Sequence, residues 1–103
     1  MVDNGIGKII KSLEDTRQLE NTIIIFTSDH SDMMEDHGLF LKGFMHYQGT
    51  LQVPLTISAP VIKPQTIYEL ASSIDIGATL LELCELPFYE GIQGEPLVPI
   101  LSG

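Results

Sequence analysis

Asp29 and His30 stand side by side where the apolar run Thr22-Ile23-Ile24-Ile25-Phe26-Thr27 stops. A neighbouring carboxylate and imidazole can share a divalent cation, or act as a metal or catalytic pair. The same two residues can also do something plainer, with Asp29 capping a turn and His30 sitting in an ordinary loop. More such side chains follow in the segment 31–50, SDMMEDHGLFLKGFMHYQGT, which carries Asp32, Glu35, Asp36, His37, Lys42, His46 and Tyr47. A connection of that length without clear periodicity is unusual inside a compact domain, and such loops are either functional or disordered.

The elements that must hold these residues can be read from the flanking pattern. Val2, Ile6, Ile9, Ile10 and Leu13 recur at helical spacing, with Lys8, Lys11, Glu14 and Asp15 opposite, so an amphipathic helix is expected over residues 2–19. Gly5 and Gly7 weaken its first turns. The β-branched run 22–27 reads as a strand buried on both faces, as in the middle of a parallel sheet. In open α/β sheets, ligands lie beyond the carboxyl ends of the strands, which is where Asp29 and His30 fall. Val53–Ser58 is a second strand, with Pro54 marking an edge or a strand entrance. Ala59–Thr66, with Pro60 and Pro64, is a surface turn. Ser72-Ser73-Ile74-Asp75 resembles a helix cap, and Ile76, Thr79, Leu80, Leu83 and Cys84 supply the stripe of a helix over about residues 73–86, stopped by Pro87. Cys84 on that stripe is expected to be buried. The tail from Phe88 to Gly103 has turn chemistry and apolar anchors but no clear element. The expected fold class is α/β, a mostly parallel sheet with flanking helices that pack on it through Ile6, Ile10, Leu13, Leu80 and Leu83.

Totals narrow the function. A chain of 103 residues fits a single domain. Its hydrophobic fraction of 44% and mean hydropathy of +0.20 are high for that size, yet no run reaches the ~18–20 apolar residues of a membrane span. That apolar surface calls for a packed partner, so a homo-oligomer or one piece of something larger is expected. Fourteen acidic against five basic residues make nucleic-acid binding through phosphates an unfavourable reading. An anion site on such a chain needs a local cation. One cysteine excludes an internal disulfide and a multi-cysteine zinc site. Asp3, Gly5 and Lys8 interrupt anything like a secretory h-region, so the chain as written is expected to stay in the cytoplasm.

The ordered set IIIFTSDHSDMMEDHGLFLKG, HYQG and VPLTISAP resembles the arylsulfatase-like sulfatase family of the alkaline phosphatase superfamily. VDNGIGKIIKSLED before it, SSIDIGATLLEL after it and GIQGEPLVPILSG at the end agree in order, so the resemblance covers nearly the whole chain. It implies that residues 1–103 form a single partial domain, the C-terminal part of the family's large α/β domain. It implies that Asp29 and His30 are metal ligands, with Ca²⁺ or Mn²⁺ the family's cofactor. Imidazole favours the softer Mn²⁺ or Zn²⁺ over Ca²⁺. Lys42 takes the place of the lysine that contacts the sulfate ester oxygens, and His46 that of a residue protonating the leaving alcohol. Glu35, Asp36 and His37 shape the loop, and Asp75 caps its helix.

The departures matter as well. The family's nucleophile lies in a C/S-x-P-x-R motif, which these residues do not contain; Cys84 sits in LELCELP. The family's N-terminal Asp-Asp metal pair is not found here either. Ser31 stands where relatives have glycine, Gln52 where an arginine is common and Ala78 where a proline is common. The resemblance therefore implies part of a sulfate-ester hydrolase whose substrate is turned over only with the missing half, with weak or no metal binding by this chain alone. Two alternatives stay open: a non-catalytic oligomeric remnant or interaction module, and part of a phosphomonoester or phosphonate ester hydrolase.

Overall fold

The structure, a computed structural model, describes residues 1–102. The order of elements is α1 (Val2–Asp15), a 3₁₀ turn (Leu19–Asn21), β1 (Ile24–Thr27), a second 3₁₀ turn (Asp36–Gly38), α2 (Gln48–Leu51), β2 (Leu55–Ser58), α3 (Asp75–Leu83) and α4 (Val98–Leu101). These form two compact units: residues 24–57, and residues 1–23 together with the chain from Ser58 onward. The α/β character is as expected. No helix among the described residues is long and apolar enough to cross a membrane.

In the first unit β1 and β2 are hydrogen-bonded neighbours in a two-stranded sheet. Leu55 and Ile57 of β2 are half-buried while Thr56 and Ser58 are exposed, the alternation of a strand with one covered face. Pro54 precedes β2, at the strand entrance its missing N–H allows. The expectation of a strand buried on both faces over residues 22–27 is corrected here. The strand begins at Ile24; Ile24 and Ile25 are half-buried, whereas Phe26 and Thr27 are exposed. With one strand neighbour, β1 is an edge among the described residues, and its β-branched run keeps an open side.

In the second unit α1 is shorter than the expected 2–19. Its C-terminus is closed by the Arg17 N–H donating to the Glu14 carbonyl at 2.9 Å and the Gln18 N–H to the Leu13 carbonyl at 2.8 Å. This paired closure requires a left-handed residue, and Arg17 takes it at φ 57°. Ile6, Ile10 and Leu13 are half-buried, but no α1 residue is fully buried and Ile9 is 64% exposed. Its contact within the unit is with the Leu19–Asn21 turn.

α3 ends in the same way. Glu85 donates to the Glu82 carbonyl at 3.0 Å and Leu86 to that of Leu81 at 2.8 Å, with Glu85 at φ 55°. The helix thus stops at Leu83, four residues short of Pro87, and Cys84 at its C-cap is exposed rather than buried. The residues α3 buries are Ala78 and Thr79, not the leucine stripe; Leu80 is exposed. The reason is a close approach by the tail, which small side chains permit. Thr79 Oγ1 donates to the Asp75 carbonyl at 2.7 Å and accepts the Leu97 N–H at 2.9 Å. Asp75, expected to cap the helix, is instead its first residue, and α3 has no side-chain cap bond. Its Oδ2 accepts the Ser72 N–H at 2.8 Å and its Oδ1 the Glu95 N–H at 3.0 Å, tying the preceding turn and the tail to the helix start. The tail gains a short helix, α4, in contact with α3, and Leu97 and Leu101 are buried with Ala59. The expectation of a tail without an element extended to Gly103, which lies outside the described residues.

Gly94 is where this packing is tightest. A Cβ there would collide with the Ile74 carbonyl oxygen and approach the Asp75 Cα to 2.9 Å, both backbone atoms that cannot swing aside. Gly94→Ala is therefore expected to destabilise the chain by about 1–3 kcal/mol, read as a lower Tm by circular dichroism. An unchanged Tm would mean the tail does not hold this position against α3.

Candidate active site

Asp29 and His30 leave β1 in a turn pinned by short local hydrogen bonds. The His30 N–H donates to Asp29 Oδ1 at 2.9 Å. Ser28 Oγ lies 2.8 Å from the His30 carbonyl and 3.3 Å from Asp29 Oδ1; its one proton favours the shorter contact. The His30 N–H holds the Asp29 carboxyl below the usual value of 3.8. Asp29 is thus a carboxylate at neutral pH with Oδ2 turned toward the ring of His30, 3.6 Å from Nε2.

Lys42 reaches the same nitrogen. Its Nζ is 2.7 Å from His30 Nε2 across twelve residues of chain. An ammonium has protons to give and no lone pair, so Nε2 is the acceptor and carries no proton. The other ring nitrogen, Nδ1, faces the Ser31 carbonyl at 3.3 Å and is the one that carries hydrogen. His30 is therefore neutral while Lys42 is in place. Its 3.6 Å approach to Asp29 is then a pairing of two unprotonated donors, not an ion pair.

The loop between these residues is built to make that meeting possible. Asp32 Oδ1 accepts the Lys42 backbone N–H at 3.0 Å, tying the lysine back to the start of the loop. The Ser31 N–H donates to the Thr50 carbonyl at 3.0 Å, and the Thr50 hydroxyl to the sulfur of buried Met33 at 2.9 Å. Between them Met34, Glu35 and His37 take left-handed backbone angles (φ 47°, 74° and 53°) with Gly38 at φ 72°. Each non-glycine residue there costs about 1 kcal/mol. The return is a tight reversal closed by Asp36 N–H to the Met33 carbonyl at 2.7 Å and Glu35 N–H to the Leu39 carbonyl at 2.8 Å. The His37 ring stacks on Tyr47 at 4.3 Å, and Asp36 comes close enough to Gly49 that a Cβ there would lie 2.9 Å from Oδ2. Glu35, Asp36 and His37 thus shape the loop. His46 is exposed and has no hydrogen-bonded partner among the described residues, so it does not join the cluster.

As metal ligands, Asp29 and His30 fit in spacing and chemistry. Two donors sharing one ion lie roughly 3–4 Å apart, given bonds of about 2.0–2.5 Å, and Oδ2 and Nε2 are 3.6 Å apart. Ser31 fixes the tautomer that leaves Nε2 free of hydrogen, the usual arrangement of a metal-binding histidine. Among the described residues no group of three or more His, Cys, Asp or Glu side chains converges on a common point. An apolar cleft of about 430 Å³ lies beside Lys42, walled by Met33, Leu39, Phe40 and Met45 among others.

The sulfatase family model matches residues 1–86, most of the chain. The chain belongs to the sulfatase family. Arylsulfatase K of Gallus gallus is 40% identical over 100 residues, covering 96% of this chain and 18% of that protein. Choline-sulfatase of Rhizobium meliloti is 35% identical over 105 residues, covering 99% of this chain and 20% of that protein. The phosphonate monoester hydrolase of Silicibacter pomeroyi superposes with a TM-score of 0.88 at 34% identity, over 99% of this chain and 20% of that one. This sulfatase chain thus spans about one fifth of the length of the curated relatives it matches. The family is generally metal-dependent and acts on sulfate esters, and its solved members share the alkaline phosphatase superfamily fold.

Sequence reasoning missed Asp32 as the residue that holds Lys42, because a tie across ten positions of irregular loop has no periodic signature. Asp32→Ala is expected to speed hydrogen exchange of the Lys42 backbone amide about two- to tenfold, the loss of one hydrogen bond. Exchange unchanged from that of the parent chain would show that Asp32 does not position the lysine.

Proposed function

We propose that these residues supply part of the metal site and the anion-binding cation of a sulfate-monoester hydrolase. The observation that carries this reading is the meeting of Lys42 with the Asp29–His30 pair, at 2.7 Å from His30 Nε2, beyond the end of β1. In this reading Asp29 and His30 hold one side of a divalent cation, Ca²⁺ or Mn²⁺, whose chemistry is to polarise the ester oxygens. Lys42 balances the charge on those oxygens. His46, an exposed imidazole four residues beyond Lys42, is assigned to protonating the leaving alcohol. The nucleophile and the remaining metal ligands must come from outside these 103 residues, because no C/S-x-P-x-R motif lies within them. On this reading β1 sits inside a larger layered sheet in the working enzyme, which accounts for its β-branched run and exposed Phe26. Where nothing else covers such surfaces, a homo-oligomer is proposed to do so.

A second reading has one observation in its favour, the likeness to a phosphonate monoester hydrolase. A phosphonate monoester, like a sulfate monoester, offers a singly charged tetrahedral oxyanion, and Lys42 suits both.

The purified chain is expected to leave 4-nitrophenyl sulfate and a phenyl phosphonate ester uncleaved with Ca²⁺ or Mn²⁺ present. Inorganic sulfate added to the Ca²⁺-loaded chain is expected to shift the Lys42 side-chain resonance, and Lys42→Ala to abolish binding. Turnover by the chain alone that disappears in Lys42→Ala would place a nucleophile within these residues and overturn the division of labour. Absence of any sulfate response would remove Lys42 from its assigned role. Light scattering is expected to return more than the 11.4 kDa of one chain at micromolar concentration; a monomer would contradict the oligomer.

A further inference from the structure

His30 Nε2 has one lone pair, and it is already taken. Lys42 Nζ donates to it at 2.7 Å while Nδ1 gives its hydrogen to the Ser31 carbonyl at 3.3 Å. A cation bound between Nε2 and Asp29 Oδ2 needs that same lone pair, and an sp² nitrogen cannot serve a proton donor and a metal at once. The lysine has no such restriction, because its backbone is anchored separately by Asp32 at 3.0 Å. The ammonium can therefore leave His30 without dismantling the loop.

We propose that Lys42 is a placeholder in the metal site: it occupies the His30 ligand position until a divalent cation displaces it, and displacement frees its ammonium for the substrate anion. Metal entry and a free anion-binding cation are thereby one event. The chain without metal keeps its cation engaged, and the loaded chain presents both charges together. By linkage, an anion that holds Lys42 away from His30 favours metal binding to the same degree. The inference rests on Asp29 and His30 as metal ligands, and it is independent of which ester is hydrolysed.

The test uses Mn²⁺ alone, titrated into the full chain and followed by the electron paramagnetic resonance signal of the free ion. Lys42→Met removes the competitor and is expected to bind Mn²⁺ about three- to tenfold more tightly than the parent chain, the worth of one hydrogen bond. Loss of a positive charge a few ångströms from the site would also tighten binding and is little screened at that range, so the affinity gain is read together with the lysine signal. In parallel, Zn²⁺ added to ¹⁵N-labelled chain is expected to move the Lys42 ammonium signal to that of a free lysine while His30 Nε2 shifts. Equal affinity of the two chains, or a Lys42–His30 contact that persists with Zn²⁺ bound, would overturn the placeholder. If neither Lys42→Met nor the parent chain binds Mn²⁺ at millimolar concentration, the placeholder is overturned for this chain, an outcome distinct from failure of the wider reading, which allows weak or no metal binding by this chain alone.

Discussion

The geometry of this chain's site follows from a single acceptor, the unprotonated Nε2 of His30. Ser31 fixes it by taking the hydrogen of Nδ1, Asp29 flanks it at 3.6 Å, and Lys42 fills it at 2.7 Å. None of these side chains is deeply buried, so no low dielectric strengthens the contacts. Their arrangement depends on the backbone placing them correctly. The residue after β1 must turn at once, and the loop must come back across twelve positions to deliver the lysine.

That return explains the character of the loop. Left-handed angles at Met34, Glu35 and His37 are unfavourable for residues with a Cβ, and they persist only where surrounding bonds over-determine the backbone. Those bonds are present: Asp32 holds Lys42, Thr50 holds Ser31, and buried Met33 sits beneath Thr50. The polar residues that look like spare chemistry in the sequence, Glu35, Asp36 and His37, are occupied in building this reversal. Asp36 presses close to Gly49 and His37 lies on Tyr47.

Much of this was legible in the residues themselves. The β-branched run named β1, Pro54 marked the entrance to β2, and the Ser-Ser-Ile-Asp turn announced α3 with Asp75 in its first turn, though not as its cap. The α-helical stripe misled for Cys84 and Leu80, because α3 buries its small residues Ala78 and Thr79 against the tail instead. The helix ends were misplaced because Arg17 and Glu85 take left-handed closures that favour glycine, so composition gave no stop signal there. The burial of β1 was overestimated since composition reports what a strand can be buried in, not which neighbours these residues supply. Asp29 and His30 were singled out by position after the strand and Lys42 by family resemblance, while the direct contact between Lys42 and His30 has no counterpart in spacing.

On a fifth of the length of its relatives, the chain gathers a carboxylate, an imidazole and an ammonium at one strand end. The account turns on the protonation pattern of one ring, which long-range ¹H–¹⁵N correlation of the His30 side chain reads directly in the metal-free chain at neutral pH. The account predicts a neutral imidazole with hydrogen on Nδ1, and an Nε2 resonance that moves when Lys42 is replaced by Met. Hydrogen on Nε2, or on both nitrogens, would contradict it.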